Sequence, residues 1–230
     1  QAPMLFNGER VGTGTSIEMD IAVDPIDGTR PLVFGRTNSI STVAVAPRGT
    51  MFDPGPFVYM DKIAVGPQAR GKINIEASIS DNLKAIAKAK GTAVEDLTAI
   101  ILDRPRHEAM VAEMRQAGAR IRLIPDGDVA AALMTAWPDS NVDLLMGVGG
   151  TPEGVISACA LKCMGGEIQG KIYPRNDDEI KRGKEAGYDL KKVFTIDDLV
   201  ANDNVFFAAT GITDGELLDG VQYYGSGART

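Results

Sequence analysis

The sequence predicts an α/β protein in which an antiparallel sheet built from the first third of the chain is followed by a mainly parallel α/β layer. Two observations carry this. Up to about residue 70, short alternating apolar runs are broken by Gly and Pro, as in strands joined by turns. From about residue 80 onward, apolar runs alternate with segments of helical period, the pattern of strands and crossover helices. The chain has 230 residues, 44% of them hydrophobic, enough to bury a sizeable core.

The elements follow in order. Runs at 16–24, 39–47 and 59–66 alternate apolar and polar residues and read as antiparallel strands. SDNLKAIAKAKG (80–91) reads as a helix started by Ser80 and stopped by Gly91, and LTAIILD (97–103) as a buried strand. HEAMVAEMRQAG (107–118) is a helix ended by Gly118, RIRLIP (120–125) a strand, and GDVAAALMTAWP (127–138) a helix opened by Asp128. VDLLMGV (142–148) is a strand, and PEGVISACALKCMGG (152–166) a helix opened by Thr151 and Pro152 and closed by Gly165. A polar helical stretch at 176–188 is expected on the surface, and DNVFFAAT (203–210) as a strand returning to a sheet. This divides the chain into a strand-rich lobe, 1–70, and an α/β lobe, 71–230.

The net charge of −7 and pI of about 4.8, without an extended basic run, argue against a nucleic-acid partner. No apolar stretch approaches the roughly 18 residues needed to span a membrane, no leader precedes Met4, and a cytoplasmic location is expected. Cys159 and Cys163 stand four apart in a helical pattern where a bridge would strain the helix, so both are expected to be reduced core residues. With these two cysteines and His107 as the single histidine, a Cys/His zinc site can hardly be assembled, and His107 is expected to be structural or peripheral.

The most informative segment is DPIDGT (24–29), which follows the alternating Ile17, Met19, Ile21 and Val23 and places Asp24 and Asp27 on a turn at a strand end. Pro25 fixes its own φ and biases Asp24 toward extended backbone, and Gly28 allows close backbone approach, leaving its N–H and that of Thr29 to donate to phosphate. One or two carboxylates with substrate phosphate oxygens are a usual environment for Mg2+ or Mn2+. Asp, Pro and Gly are equally the residues of a ligand-free Asx-turn.

Three further loops follow predicted strands, where open α/β folds bind ligands. Arg104, Pro105 and Arg106 offer two guanidiniums suited to phosphate, or form a solvated turn. Asp126, Gly127 and Asp128 offer carboxylates, the second of which can be a helix cap. In GGTPEG, Glu153 falls in the first turn of a helix, where the helix dipole favours an acid with or without a metal.

The complete hexapeptide DPIDGT resembles the signature of the lithium-sensitive, metal-dependent phosphatase superfamily. Taken in order, DPIDGT, YMDK (59–62), RPRH (104–107), IPDGD (124–128), GVGGTPEGV (147–155) and ATGITDG (209–215) resemble the class II fructose-1,6-bisphosphatases over nearly the whole chain. Inositol monophosphatases carry a later WDxAAG-type motif, whereas Trp137 here is followed by Pro138 and Asp139.

The resemblance implies a layered α-β-α-β-α fold and hydrolysis of the 1-phosphate of fructose 1,6-bisphosphate with Mn2+ or Mg2+. It implies that Asp24, Asp27 and Glu153 hold a divalent ion, that Gly28 and Thr29 bind the scissile phosphate, and that Thr29 orients the attacking water. Tyr59, Arg104, Pro105, Arg106, Asp126, Gly127, Asp128 and Gly150 would contact the sugar bisphosphate. A homo-oligomer acting on a small molecule is expected.

Two substitutions depart from the family pattern: Asp27 stands where Glu is frequent, and Arg104 where Lys is. The family's upstream Asp and Gly-Glu-Gly-Glu ligands of a first metal would lie before Gln1, so the chain reads as an excised piece. The competing expectations are another phosphatase of the superfamily, acting on inositol or nucleotide phosphates, and a sugar-phosphate binder without turnover. A dinucleotide-binding turn in VDLLMGVGGTPEG is disfavoured, because the Gly spacing fails and no acidic residue ends a following strand at the expected distance.

Overall fold

The computed structural model describes residues 6, 8–15 and 17–230, so Ser16, where the first predicted run begins, lies outside the described residues, as do Gln1 and Met4. The first elements are β1 (Met19–Asp27), the short helix α1 (Thr29–Val33), β2 (Ile40–Pro47) and β3 (Tyr59–Val65). The alternating region follows as α2 (Ile79–Lys90), β4 (Thr98–Leu102), α3 (Glu108–Ala117), β5 (Arg120–Ile124), α4 (Asp128–Met134), β6 (Leu144–Gly150) and α5 (Thr151–Met164). The chain continues through β7 (Glu167–Ile172), α6 (Asp177–Glu185), β8 (Val193–Phe194), α7 (Ile196–Leu199) and β9 (Phe206–Gly211), then a hairpin of β10 (Gln222–Tyr224) and β11 (Gly227–Arg229).

Two sheets organise these elements. The antiparallel three-stranded sheet runs β1-β2-β9, so the strand expected to return near residue 203 does so, pairing Ala208 with Val43. The six-stranded sheet runs β5-β4-β6-β3-β7-β8. Its β5, β4 and β6 are parallel, and β3, β7 and β8 join with antiparallel pairings. β3, grouped by sequence with the first two strands, lies at the centre of the larger sheet. The reason is its composition: Met60 and Ala64 are buried on one face, Ile63 and Val65 on the other, and only a strand covered on both faces can bury both sets.

α4 and α5 fill the space between the sheets, α5 touching strands of both, around Met60, Ala64, Ala132, Leu145, Ala158 and Leu161. α2 and α3 cover the opposite face of the larger sheet through Leu83, Ile86, Ile101 and Met114. The described layers therefore run β-α-β-α. Among the described residues no helix is long and apolar enough to cross a membrane.

Local signals mostly hold, with four corrections. Gly91, Gly118 and Gly165 end their helices in left-handed backbone, as expected. α2, however, is capped by Ser78 rather than Ser80, its hydroxyl accepting from the Asp81 N–H at 3.0 Å. α4 and α5 begin at Asp128 and Thr151, as expected, but the cap of α4 is Gly127, so Asp128 is not the capping residue. Cys159 is buried but Cys163 is exposed; both are free thiols. The 176–188 stretch is helical yet not purely superficial, since Glu179 and Gly183 are buried.

His107 is structural, as expected. Its ring is 1% exposed: Nδ1–H donates to the Leu102 carbonyl at 2.7 Å and Nε2 accepts from the Val148 N–H at 2.9 Å, tying β4 to β6. Burial, with Arg106 and Arg104 nearby, holds its pKa below the ordinary histidine value. A depressed folded pKa means that the unfolded chain binds the extra proton, so this contribution is complete above about pH 6.5 and is lost as pH falls. His107→Gln is expected to lower stability by about 1–3 kcal/mol at pH 7.5. The gap to wild type should narrow by pH 5. Urea midpoints at the two pH values check this, and a gap that does not change with pH would rule it out.

Candidate active site

The carboxylates of DPIDGT owe their placement to a β-bulge rather than to a turn beyond the strand. Cross-strand pairing puts Asp24 opposite Thr42 and Asp27 opposite Ile40, so three steps along β1 match two along β2. In a regular strand, residues three apart point to opposite faces. The extra residue instead lets both carboxylates share the inward face with Ile40 and Thr42. Pro25 is tolerated here because β1 is an edge strand and the bulge interrupts its ladder. The alternating apolar residues Met19 and Ile21 consequently face outward and are exposed, while Ala22 packs inward.

Asp27 is 3% exposed and accepts from the N–H groups of Val129 (3.4 Å) and Ala130 (2.8 Å), anchoring the first turn of α4 to the three-stranded sheet. Gly28 follows with φ 86° and is buried, and a Cβ there would press on the Asn38 carbonyl and the Ser39 hydroxyl at 3.3 Å, so a side chain would be strained by conformation and tightly crowded. Thr29 is exposed, with its hydroxyl donating to the Ile26 carbonyl at 3.1 Å. The Arg30 N–H meets the Asp126 carboxylate at 3.3 Å, which brings the 126–128 loop onto the DPIDGT turn.

The residue that sequence reading missed is Lys62. It lies on the inward face of β3 with Met60 and Ala64, is 2% exposed, and its Nζ bonds the Asp128 carboxylate and, at 3.0 Å, the Gly150 carbonyl. Its place in the YMDK motif, on the same side of the alternation as Met60 and Ala64, is the signal that was available. Gly149 makes room for the pair, since a Cβ there would strike the Asp128 carboxylate.

Around Lys62 the charge is unbalanced. Burial, then the Asp128 and Asp126 carboxylates, raise the pKa of Asp24 against an N–H bond from Ile26. Burial and Asp128 push Asp27 well above the ordinary carboxylate value. Burial and Asp128 also raise Glu153, with Lys62 opposing. Glu153 Oε2 is buried without a partner, as is the hydroxyl of Thr42, the cross-strand neighbour of Asp24. Among the described residues no three acidic, His or Cys side chains are gathered as a ready-made ion site. The donor set nevertheless fits a hard divalent cation: these are oxygen ligands, one is orphaned, and the carboxylates Asp24, Asp27, Asp128 and Glu153 outnumber the single ammonium.

A second cluster lies at the C-terminal ends of β4, β5 and β6, where Tyr59, opposite Gly150, opens β3. Pro105 starts a 3-10 turn, and the Arg106 guanidinium lies 5.2 Å from the Tyr59 ring centre while donating to the Val148 carbonyl at 2.6 Å. Arg104 donates to the Asp103 and Pro125 carbonyls and stands 3.7 Å from Asp126. The structure thus joins Asp24, Asp27 and Glu153 about Asp128, which Lys62 binds, and Tyr59 with Arg106, while Arg104 braces the 125–126 loop.

Comparison with known proteins places the chain in a family. Residues 1–230 match the family described as "Bacterial fructose-1,6-bisphosphatase, glpX-encoded". The chain is 44% identical over 243 aligned residues, covering 100% of it and 72% of the relative, to "Fructose-1,6-bisphosphatase 1 class 2" of Escherichia coli strain K12. It has the same identity and coverage with "Fructose-1,6-bisphosphatase class 2" of Shigella flexneri.

Proposed function

The chain belongs to the family of bacterial, glpX-encoded fructose-1,6-bisphosphatases, and from that premise we propose that it hydrolyses the 1-phosphate of fructose 1,6-bisphosphate, giving fructose 6-phosphate and inorganic phosphate, with Mn2+ or Mg2+. The observation that supports the site assignment is the gathering of Asp24, Asp27 and Glu153 about the Lys62-bound Asp128, more carboxylates than the one ammonium can offset, with Glu153 Oε2 orphaned. Asp24 and Glu153 hold the ion, joined by Asp27 through lone pairs that its two amide bonds leave free. The ion, when bound, supplies Lewis acidity and charge neutralisation at the scissile phosphate.

The chain's own residues do the positioning. Gly28 and Thr29 present the scissile phosphate to backbone N–H groups. Because its proton is committed to the Ile26 carbonyl, the Thr29 hydroxyl accepts from the attacking water and orients it. Tyr59, Gly150 and the 104–106 and 126–128 loops receive the sugar bisphosphate, with Arg106 supplying a planar cation for phosphate. Lys62 holds Asp128 and the N-terminus of α5, and so the approach of Glu153, in place.

The test is phosphate release from fructose 1,6-bisphosphate, inositol 1-phosphate and a nucleoside 3′,5′-bisphosphate, each with Mn2+, with Mg2+ and with a chelator. Turnover of the sugar bisphosphate is expected to exceed the others at least about 100-fold and to stop on chelation. Preference for another substrate, or full activity in the chelator, would refute the reading.

A further inference from the structure

The ring of Tyr59 carries a second guanidinium. Arg175 Cζ lies 5.8 Å from the ring centre, alongside Arg106 at 5.2 Å, although the two arginines come from different loops. Topology explains the meeting. β6 and β7 both run antiparallel to β3, so their C-terminal ends lie at its N-terminal end, where Tyr59 sits. The Tyr173 N–H donates to the Tyr59 carbonyl at 3.0 Å, and Arg175 follows two residues later. The loop after β7 therefore opens at the same end of the sheet as the loops bearing Arg106 and Gly150.

Arg175 is also held with unusual care for a surface side chain. Its Nε and Nη2 both reach Glu179 Oε1, at 2.7 and 2.5 Å, and its own N–H donates to Glu179 Oε2 at 2.8 Å. Glu179 is 0% exposed and is itself positioned by the helix cap, its N–H donating to Asn176 Oδ1 at 2.9 Å. Burying a carboxylate is costly unless it is paired, and here the pairing fixes one arginine. Among the described residues nothing bonds Arg175 Nη1, and the side chain is 46% exposed, so donors remain for a ligand. Two guanidiniums fixed beside one aromatic ring at one end of the sheet suit a phosphate dianion.

We infer that Arg175, positioned by Glu179, binds the phosphate that is not cleaved, acting with Arg106 and Tyr59 as the clamp that selects sugars carrying this remote phosphate over those that lack it. This rests on the sugar-bisphosphate reading above. Glu179 acts through Arg175 and is a positioning residue, and Arg175 stands apart from the carboxylates assigned to the ion.

Calorimetric titration of the full chain with fructose 6-phosphate, which keeps the remote phosphate, and with fructose 1-phosphate, which lacks it, separates the possibilities. Arg175→Gln is expected to weaken fructose 6-phosphate binding about 10- to 100-fold and fructose 1-phosphate binding less than about threefold. Glu179→Gln should show the same selectivity with a smaller loss. Arg175→Lys, which keeps the charge but not the fork, should fall between wild type and Arg175→Gln and serves if the Gln variant loses its circular dichroism. Equal weakening of both ligands, or unchanged fructose 6-phosphate binding, overturns the inference while leaving the proposed activity intact. A folded wild-type chain that binds neither ligand overturns both.

Discussion

Glu153→Gln and Asp24→Asn are each expected to lower kcat on fructose 1,6-bisphosphate by on the order of 10²–10³-fold, with folding stability equal to or above that of the native chain. The activity loss follows from removing an anionic oxygen ligand: the amide keeps the shape but not the charge, and a hard divalent ion is held by charge. The stability follows from the site's own electrostatics. Burial and the Asp128 carboxylate oppose ionisation of both Asp24 and Glu153, so the fold is under strain from these charges when no ion offsets them. A neutral isostere removes that strain. Steady-state rates at saturating Mn2+ and urea midpoints without metal test the pair of outcomes. A near-native kcat in either variant, or a clear fall in midpoint, would show that these carboxylates serve the fold rather than the ion.

Lys62→Met should have the largest effect on stability, a loss of about 3–5 kcal/mol, because it leaves the Asp128 carboxylate buried and unpaired beside Asp27 and Glu153. Methionine retains most of the buried stem, so lost packing is a minor part. The informative partner is the double variant Lys62→Met with Asp128→Asn. Removing both charges takes away the attraction and most of the penalty together, so at least half of the lost stability should return. Urea unfolding of the two single variants and the double decides this. Additive losses would mean that Lys62 contributes through packing and its bond to the Gly150 carbonyl rather than through Asp128.

The split between what could be read in advance and what could not follows the range of each interaction. The strands and helices from residue 80 onward were legible because period, Gly stops and Pro starts are encoded within a few neighbouring residues. Cap positions slipped because Ser78 and Ser80, or Gly127 and Asp128, are each locally competent, and the choice rests on which residue must turn inward. β3 was grouped with the wrong sheet because alternation does not reveal which strands it pairs with, and its two buried faces are a fact about its neighbours.

Within the candidate site, Asp24, Asp27, Gly28, Thr29 and Glu153 stand out by motif alone, since chemistry that needs carboxylates and a close backbone turn leaves a short local record. Lys62 did not stand out, because a lone lysine in a strand looks like any exposed one until β6 and α4 close over it. By itself, then, the sequence determined the α/β class, the helix stops and the identity of the candidate ion and phosphate groups, all properties of residues near one another along the chain. Only the tertiary structure decided that a bulge turns Asp24 and Asp27 to one face, that Lys62 sits among the carboxylates, and that Arg106 and Arg175 share Tyr59. Those outcomes depend on strand register and on which strand ends lie side by side, which no local stretch of sequence specifies.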